Sequence, residues 1–238
     1  MPKTILITGA GKNIGSIVAK KFASLGWNVI IHYNSSEKEA TSLSDEINNS
    51  FGNSFLIKAD ITKFEEVEKM FKICIEKFVT IDVLINNAGV FPTRNTLQTI
   101  DVQQWQNTLD VNLTASLLTS KEFSKHHTTG KIINISSIGG VNIFKNRIDY
   151  NISKSALINL TKVLAKELSP DFSVNCVCPG VIDLKTEPLI DNNYPSEHSI
   201  PMKRYADIND LFEVIYFFAT CSHYITGQVL HIAGGLEL

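Results

Sequence analysis

Residues 3–34, KTILITGAGKNIGSIVAKKFASLGWNVIIHYN, leave the chain few ways to fold. An apolar run, Ile5 to Thr8, enters a glycine-bearing turn. Ile14, Val18, Phe22 and Leu25 then recur every three or four positions, the period of a helix face. Gly26 ends that pattern, and a second apolar run follows from Val29 to His32. Strand, helix and strand in this order make a β-α-β unit, whose first turn points backbone N–H groups outward from a helix N-terminus. Glycines there let the chain bend tightly and let an anion come close. A dinucleotide pyrophosphate is the ligand that such a turn suits.

The same alternation continues. Periodicity places strands near 3–8, 28–32, 54–58, 82–86, 131–136, 173–178 and 228–231. Helices fall near 14–25, 37–50, 64–78, 101–128 with a break near 109, 150–168 and 207–220. Strands separated by helices pair in parallel through right-handed crossovers. The expected fold is therefore α/β: a doubly wound parallel sheet of the Rossmann type, about seven strands with helices on both faces. All 238 residues are expected to form one dinucleotide-binding catalytic domain. Residues 183–204 hold three prolines and little periodicity, which suggests a mobile flap over a substrate. Ligands of open α/β sheets bind beyond the carboxyl ends of the strands. Gly9, Asn86 to Gly89, Ser137 and Pro179–Gly180 all follow strand ends, so they should converge on one edge.

Composition narrows the partners. A net charge of −2 gives no reason to expect nucleic acid or an anionic membrane. The N-terminus shows no signal core, and no apolar run reaches transmembrane length, so a cytoplasmic home is expected. Four scattered cysteines do not make a disulfide scaffold, and reduced thiols are expected. Cys176 and Cys178, in SVNCVCPG, are read as pointing to opposite faces of a strand, with no metal site.

Ser137, Tyr150 and Lys154 carry the chemistry. Tyr150 and Lys154 are four apart in a helical stretch and so share a face. A phenol has a pKa near 10, and a neighbouring ammonium lowers it. Ser137 ends the apolar strand KIINISS and can bond a substrate oxygen. Such a pair arises by chance about once in several hundred positions, so it gains its force from the glycine turn.

Taken together, these motifs resemble the short-chain dehydrogenase/reductase family over essentially the whole chain. The matching pieces are TGAGKNIG at 8–15, ADI at 59–61, NNAG at 86–89, VN at 111–112, SS at 136–137, YNISK at 150–154, CPG at 178–180 and YITGQVLHIAGG at 224–235. Within the family, IPMKRYADINDL and the YITG tail look most like 3-oxoacyl-[acyl-carrier-protein] reductases. The resemblance implies a carbonyl reductase of a 3-oxoacyl thioester, with Tyr150 as general acid. Lys154 would hold the nicotinamide ribose, Ser137 would polarise the carbonyl, and Asn112 would hold a water that refills the proton. It implies cofactor contacts from Gly9, Lys12, Asn13, Ile14, Gly15, Tyr33, Asn34, Ser35, Asp60, Ile61, Asn87, Ala88, Gly89, Tyr150, Lys154, Pro179, Gly180 and Ile182. It also implies a homotetramer through helices 110–128 and 150–168, and docking to an acyl carrier protein.

Charge argues for NADP(H) as cofactor. NAD-users of this fold place an acid at the end of the second strand. Here Tyr33, Asn34, Ser35 and Ser36 stand there, with Lys12 in the glycine turn. Several positions depart from the family pattern. Asn13 replaces the middle glycine of the turn, which Asn tolerates through left-handed angles. Leu184 stands where relatives carry a Thr, for which Thr186 can substitute, and Ala233 replaces the usual Asp before the last glycines. Basic residues typical of carrier-protein docking are replaced by Thr128–Thr129 and Pro170–Asp171; Lys121, Lys125, His126 and His127 lie near but not aligned. HYNSS also resembles pteridine reductases, but Ser137 stands where they carry an Asp. Reductases of other ketones, sugars or steroids remain alternatives, as does a non-catalytic dinucleotide-binding regulator.

Overall fold

The computed structural model describes residues 2–184 and 195–236. Seven parallel strands form its sheet in the order β3-β2-β1-β4-β5-β6-β7. They are β1 (Thr4–Ile7), β2 (Asn28–Tyr33), β3 (Ser54–Lys58), β4 (Val83–Asn86), β5 (Gly130–Ile135), β6 (Phe172–Pro179) and β7 (Val229–Ile232). The helices are α1 (Asn13–Ser24), α2 (Glu37–Ser50), α3 (Phe64–Phe78), α4 (Val102–Leu109), α5 (Ala115–His126), α6 (Ile148–Glu167) and α7 (Ile208–Thr220).

The central strands read as continuous apolar runs because both their faces are covered. Alternate residues of β1 go to opposite sides. Ile5 and Ile7 pack with Phe22, Val29, Ile31, Leu211 and Phe218, under α1, α2 and α7. Leu6 packs with Ile30, Met70, Phe71, Leu84 and Phe123, under α3 and α5. Each such side chain contributes about 1.5–3 kcal/mol by leaving water. The order reverses after β3: β1 pairs with β2 on one side and with β4 on the other. That switch point opens a crevice at the carboxyl ends of β1 and β4.

The break expected near 109 falls at the end of α4, at Leu109, and two other expectations need correction or restriction. A single π-helical turn, Asp110–Thr114, joins α4 to α5 and carries Asn112. Cys176 and Cys178 do not point to opposite faces. Residues two apart on a strand share a face, and their Sγ atoms lie 3.9 Å apart, both buried. Of the flap expected over 183–204, residues 185–194 lie outside the described residues, and Thr186 with them. Beyond them, Glu197–Ser199 form a 3-10 turn, and Ile182 bridges to Ala206.

Candidate active site

The turn after β1 is built without side-chain bulk. Gly9 (φ +61°) lies so close to Ala88 that a Cβ on it would sit 2.9 Å from the Ala88 Cα. A Cβ on Gly15 would meet the Gly9 carbonyl oxygen at 2.6 Å and Asn87 Nδ2 at 2.7 Å. Asn13 does adopt the left-handed conformation, at φ +53°. Asn87 fastens this turn by donating from Nδ2 to the carbonyls of Thr8 (2.9 Å) and Gly9 (3.1 Å). Thr8 Oγ1 in turn accepts from the N–H groups of Asn87 and Ala88, both at 3.0 Å.

A cavity of about 370 Å³ opens over this turn. Gly9, Lys12, Asn13, Ile14, Gly15, Asn34, Ser35, Asp60, Ile61, Asn87, Ala88 and Gly89 all line it. Tyr33 does not: its side chain is buried in the core beside Leu43 and Ile47. Lining residues not expected from the sequence are His32, Thr62, Val90 and Val111, and of these His32 holds the turn. Its Nδ1 accepts the Gly9 N–H at 3.0 Å, and Nε2 lies 3.0 Å from the Ala59 carbonyl. Both bonds are satisfied only by a neutral ring with the proton on Nε2. Burial pushes its pKa down to about 4. A polar residue on an otherwise apolar strand was the available signal. Asp60 is the carboxylate among the described lining residues. It accepts from Thr62 Oγ1 (2.7 Å) and pairs with Lys63 at 3.3 Å; the Thr62 bond leads in holding its pKa below the usual value.

A second cavity, of about 360 Å³, adjoins the first and shares Asn13, Ile14, Asn87, Gly89 and Val90 with it. Ser137, Tyr150 and Lys154 line it together, with Pro179, Gly180, Ile182 and Leu184. Tyr150 and Lys154 stand on the first two turns of α6. The Tyr150 ring meets Phe91 edge to face, with centroids 4.6 Å apart. Lys154 Nζ lies 6.0 Å from the Tyr150 ring centre and donates to the Ile135 carbonyl at 3.0 Å. Its side chain is buried, and desolvation pulls its pKa down to about 8. Ser137 Oγ accepts the Gly139 N–H at 3.0 Å, which leaves the hydroxyl proton to donate.

Asn112 is fully buried behind this cavity. Its Oδ1 accepts from Val90 N–H (2.8 Å), and Nδ2 donates to the Val90 carbonyl (3.1 Å) and to Ser153 Oγ (3.0 Å). A Cβ on Gly89 would lie 3.2 Å from Asn112 Oδ1 and 3.4 Å from Lys154 Nζ, so both groups face one small space. The π-helical turn places Asn112 there, in a conformation common at functional sites. Among the described residues no group of three or more His, Cys, Asp or Glu could hold a metal.

A two-cavity crevice at the switch point of a seven-stranded parallel sheet, one lobe over the glycine turn and one lined by Ser, Tyr and Lys, defines a Rossmann-fold oxidoreductase. The chain belongs to the short-chain dehydrogenase/reductase family. A family model described as enoyl-(acyl carrier protein) reductase matches residues 9–237. A 3-oxoacyl-[acyl-carrier-protein] reductase of Synechocystis sp. is 36% identical, over 98% of this chain and 96% of that protein. The short-chain dehydrogenase/reductase of Serratia marcescens superposes with a TM-score of 0.92 at 29% identity, covering 99% and 98% of the two chains. A short-chain dehydrogenase of Burkholderia cenocepacia, solved in complex with NADP, gives 0.91 at 28% identity with the same coverage.

Proposed function

We propose that the protein reduces a 3-oxoacyl thioester, carried on acyl carrier protein, to the 3-hydroxyacyl form with NADPH. The observation that carries this reading is the meeting of Ser137, Tyr150 and Lys154 in one cavity that adjoins the glycine-turn cavity. The 36% identical 3-oxoacyl-[acyl-carrier-protein] reductase supports the substrate class. Residues 1–238 act in this reading as one dinucleotide-binding catalytic domain.

The glycine turn fits a dinucleotide, since its missing Cβ atoms and the α1 N-terminus make a cradle for a pyrophosphate. Lys12, Asn34, Ser35 and Ser36 offer donors to a 2′-phosphate, and no carboxylate stands at the end of β2 to repel it. When bound, the cofactor supplies a hydride to the carbonyl carbon. Tyr150 gives its hydroxyl proton to the carbonyl oxygen as the C=O double bond becomes a single bond. Ser137 donates a hydrogen bond to the same oxygen and fixes its position. Lys154 holds the ribose hydroxyls and keeps positive charge beside the phenol. The space between Asn112 and Lys154 holds the water through which the proton is replaced.

Two hydroxyls lining one cavity suit an oxygen that gains a proton, which favours C=O over C=C reduction despite the enoyl reductase description of the family model. Assaying 3-oxoacyl and 2-enoyl thioesters side by side with NADPH and NADH tests both choices. The 3-oxoacyl substrate with NADPH should be consumed fastest. Tyr150→Phe should lower kcat by about 10²–10⁴-fold with NADPH affinity kept. NADPH binding without reduction of any thioester would instead support a dinucleotide-binding regulator.

Leu117 on α5 with Ile152 and Val163 on α6 expose apolar surface, as do Tyr216, Phe217, Tyr224 and Leu230 around α7 and β7. Two such faces suit a homotetramer, to be checked by light scattering. A cytoplasmic location goes with this reading; among the described residues no helix is long and apolar enough to cross a membrane.

A further inference from the structure

A third cavity, of about 200 Å³, lies between the C-terminal end of the sheet and residues 200–206. Its lining is mostly apolar: Val181, Ile200, Met202, Ala206, Ile232 and Leu236 contribute to it. The charged residues there, Arg204 and Asp210, neutralise each other through two hydrogen bonds of 2.6 and 2.9 Å. Val181 also lines the cavity that holds Tyr150, so the two spaces meet at one side chain. Ile200 is buried at the floor, whereas Met202 is 63% exposed. An unbranched thioether beside an apolar hollow adapts to ligands of varied length.

We infer that this cavity receives the far end of the substrate's acyl chain, which passes Val181 while its 3-oxo group lies at Tyr150. The inference rests on the thioester reading above. The volume admits about six water-sized groups, at ~30 Å³ each. It therefore takes about six methylenes beyond the carbons that reach Val181. A saturated tail needs no hydrogen-bond partner, and the paired Arg204 and Asp210 leave no uncompensated charge for it to bury.

The test compares acetoacetyl-coenzyme A with 3-oxodecanoyl-coenzyme A, using the full chain and saturating NADPH. The wild-type kcat/KM should rise with chain length by up to about fourfold for each methylene that enters the cavity. Ala206→Phe fills the cavity while its backbone bonds to Val181 and Asp183 are kept. Met202→Glu puts a charge at its mouth from an exposed position. Both variants should lower kcat/KM for the ten-carbon substrate at least about tenfold and leave the four-carbon rate and NADPH affinity unchanged. The inference is overturned if wild type reduces both lengths equally well, or if both variants keep its chain-length ratio. A tail that leaves over Phe91 and Phe144 would give that second result. A changed oligomeric mass in Ala206→Phe, with the ratio kept, would assign the cavity to a second copy and also overturn it. Failure to reduce either substrate overturns the thioester reading itself, whereas reduction of the four-carbon substrate with no length dependence overturns the chain site alone.

Discussion

Protonating His32 should unfasten the dinucleotide turn. Its ring is buried, and its Nδ1 lone pair is the acceptor for Gly9 N–H. A proton on Nδ1 abolishes that acceptor and places a charge in the core. The folded protein therefore resists protonation down to pH about 4, against 6.5 for an ordinary imidazole. Between those values the unfolded chain binds more protons than the folded one, so stability falls as pH falls through this window. At about 1.4 kcal/mol per tenfold in proton affinity, the full loss is about 3 kcal/mol, reached near pH 4.

Urea unfolding at pH 7, 6, 5 and 4.5 measures this loss. His127, also lowered by burial, adds to it in the same direction, so wild type must be compared with a variant. His32→Leu removes the titration and leaves Gly9 N–H and the Ala59 carbonyl without their partner. It should be less stable at pH 7 by about 1–3 kcal/mol, the cost of unpaired buried groups. Its stability should then fall less steeply toward pH 4.5, and the two curves should converge. Parallel curves for wild type and variant would refute the assignment of this titration to His32.

Gly15→Ala should drive a methyl group into the Gly9 carbonyl and Asn87. Overpacking of this kind costs about 2 kcal/mol, or about 4–8 °C in Tm for a chain of this size, and NADPH affinity should fall with it; unchanged affinity in a fluorescence titration would speak against the turn as the phosphate cradle. Lys154 should lose its proton near pH 8, so NADPH affinity should weaken from pH 7 to pH 9. Lys154→Arg should flatten that dependence, because guanidinium stays charged throughout. A wild-type Kd that stays constant across this range would remove Lys154 from the binding role.

The sequence reveals what is local. Ranges 37–50, 54–58 and 64–78 coincide with α2, β3 and α3 because apolar periodicity is imposed by the element itself. Tyr150 and Lys154 are legible for the same reason, being four apart on one helix. Partnerships across the sheet are not legible. Nothing near His32 in sequence announces that it will meet Gly9, since register and pairing bring the two together. The interruption near 109 is legible, whereas its form, a π-helical turn that places Asn112, is not. The thiols of Cys176 and Cys178 share a face because strand alternation sends neighbours, not second neighbours, to opposite sides.

The distance from Ser137 to Tyr150 depends on two residues that carry no side chain. Gly139 and Gly140 occupy the 3-10 turn Ile138–Gly140 that follows β5. A Cβ on Gly140 would lie 2.7 Å from the Lys154 carbonyl carbon and 2.9 Å from Ser155 N, so α6 rests on this turn backbone to backbone. Ser136 Oγ donates to the Lys154 carbonyl at 2.8 Å and ties the same contact. A Cβ on Gly139 would press on Phe144 at 2.8 Å and on Tyr150 at 3.1 Å. Asn151 holds Phe144 in place by accepting its N–H and donating to its carbonyl. Ser137 is therefore brought to Tyr150 by close approach of a strand end to a helix, which a methyl group at either glycine would prevent. The hydroxyls are the visible part of the site, and the empty positions beside them set its dimensions.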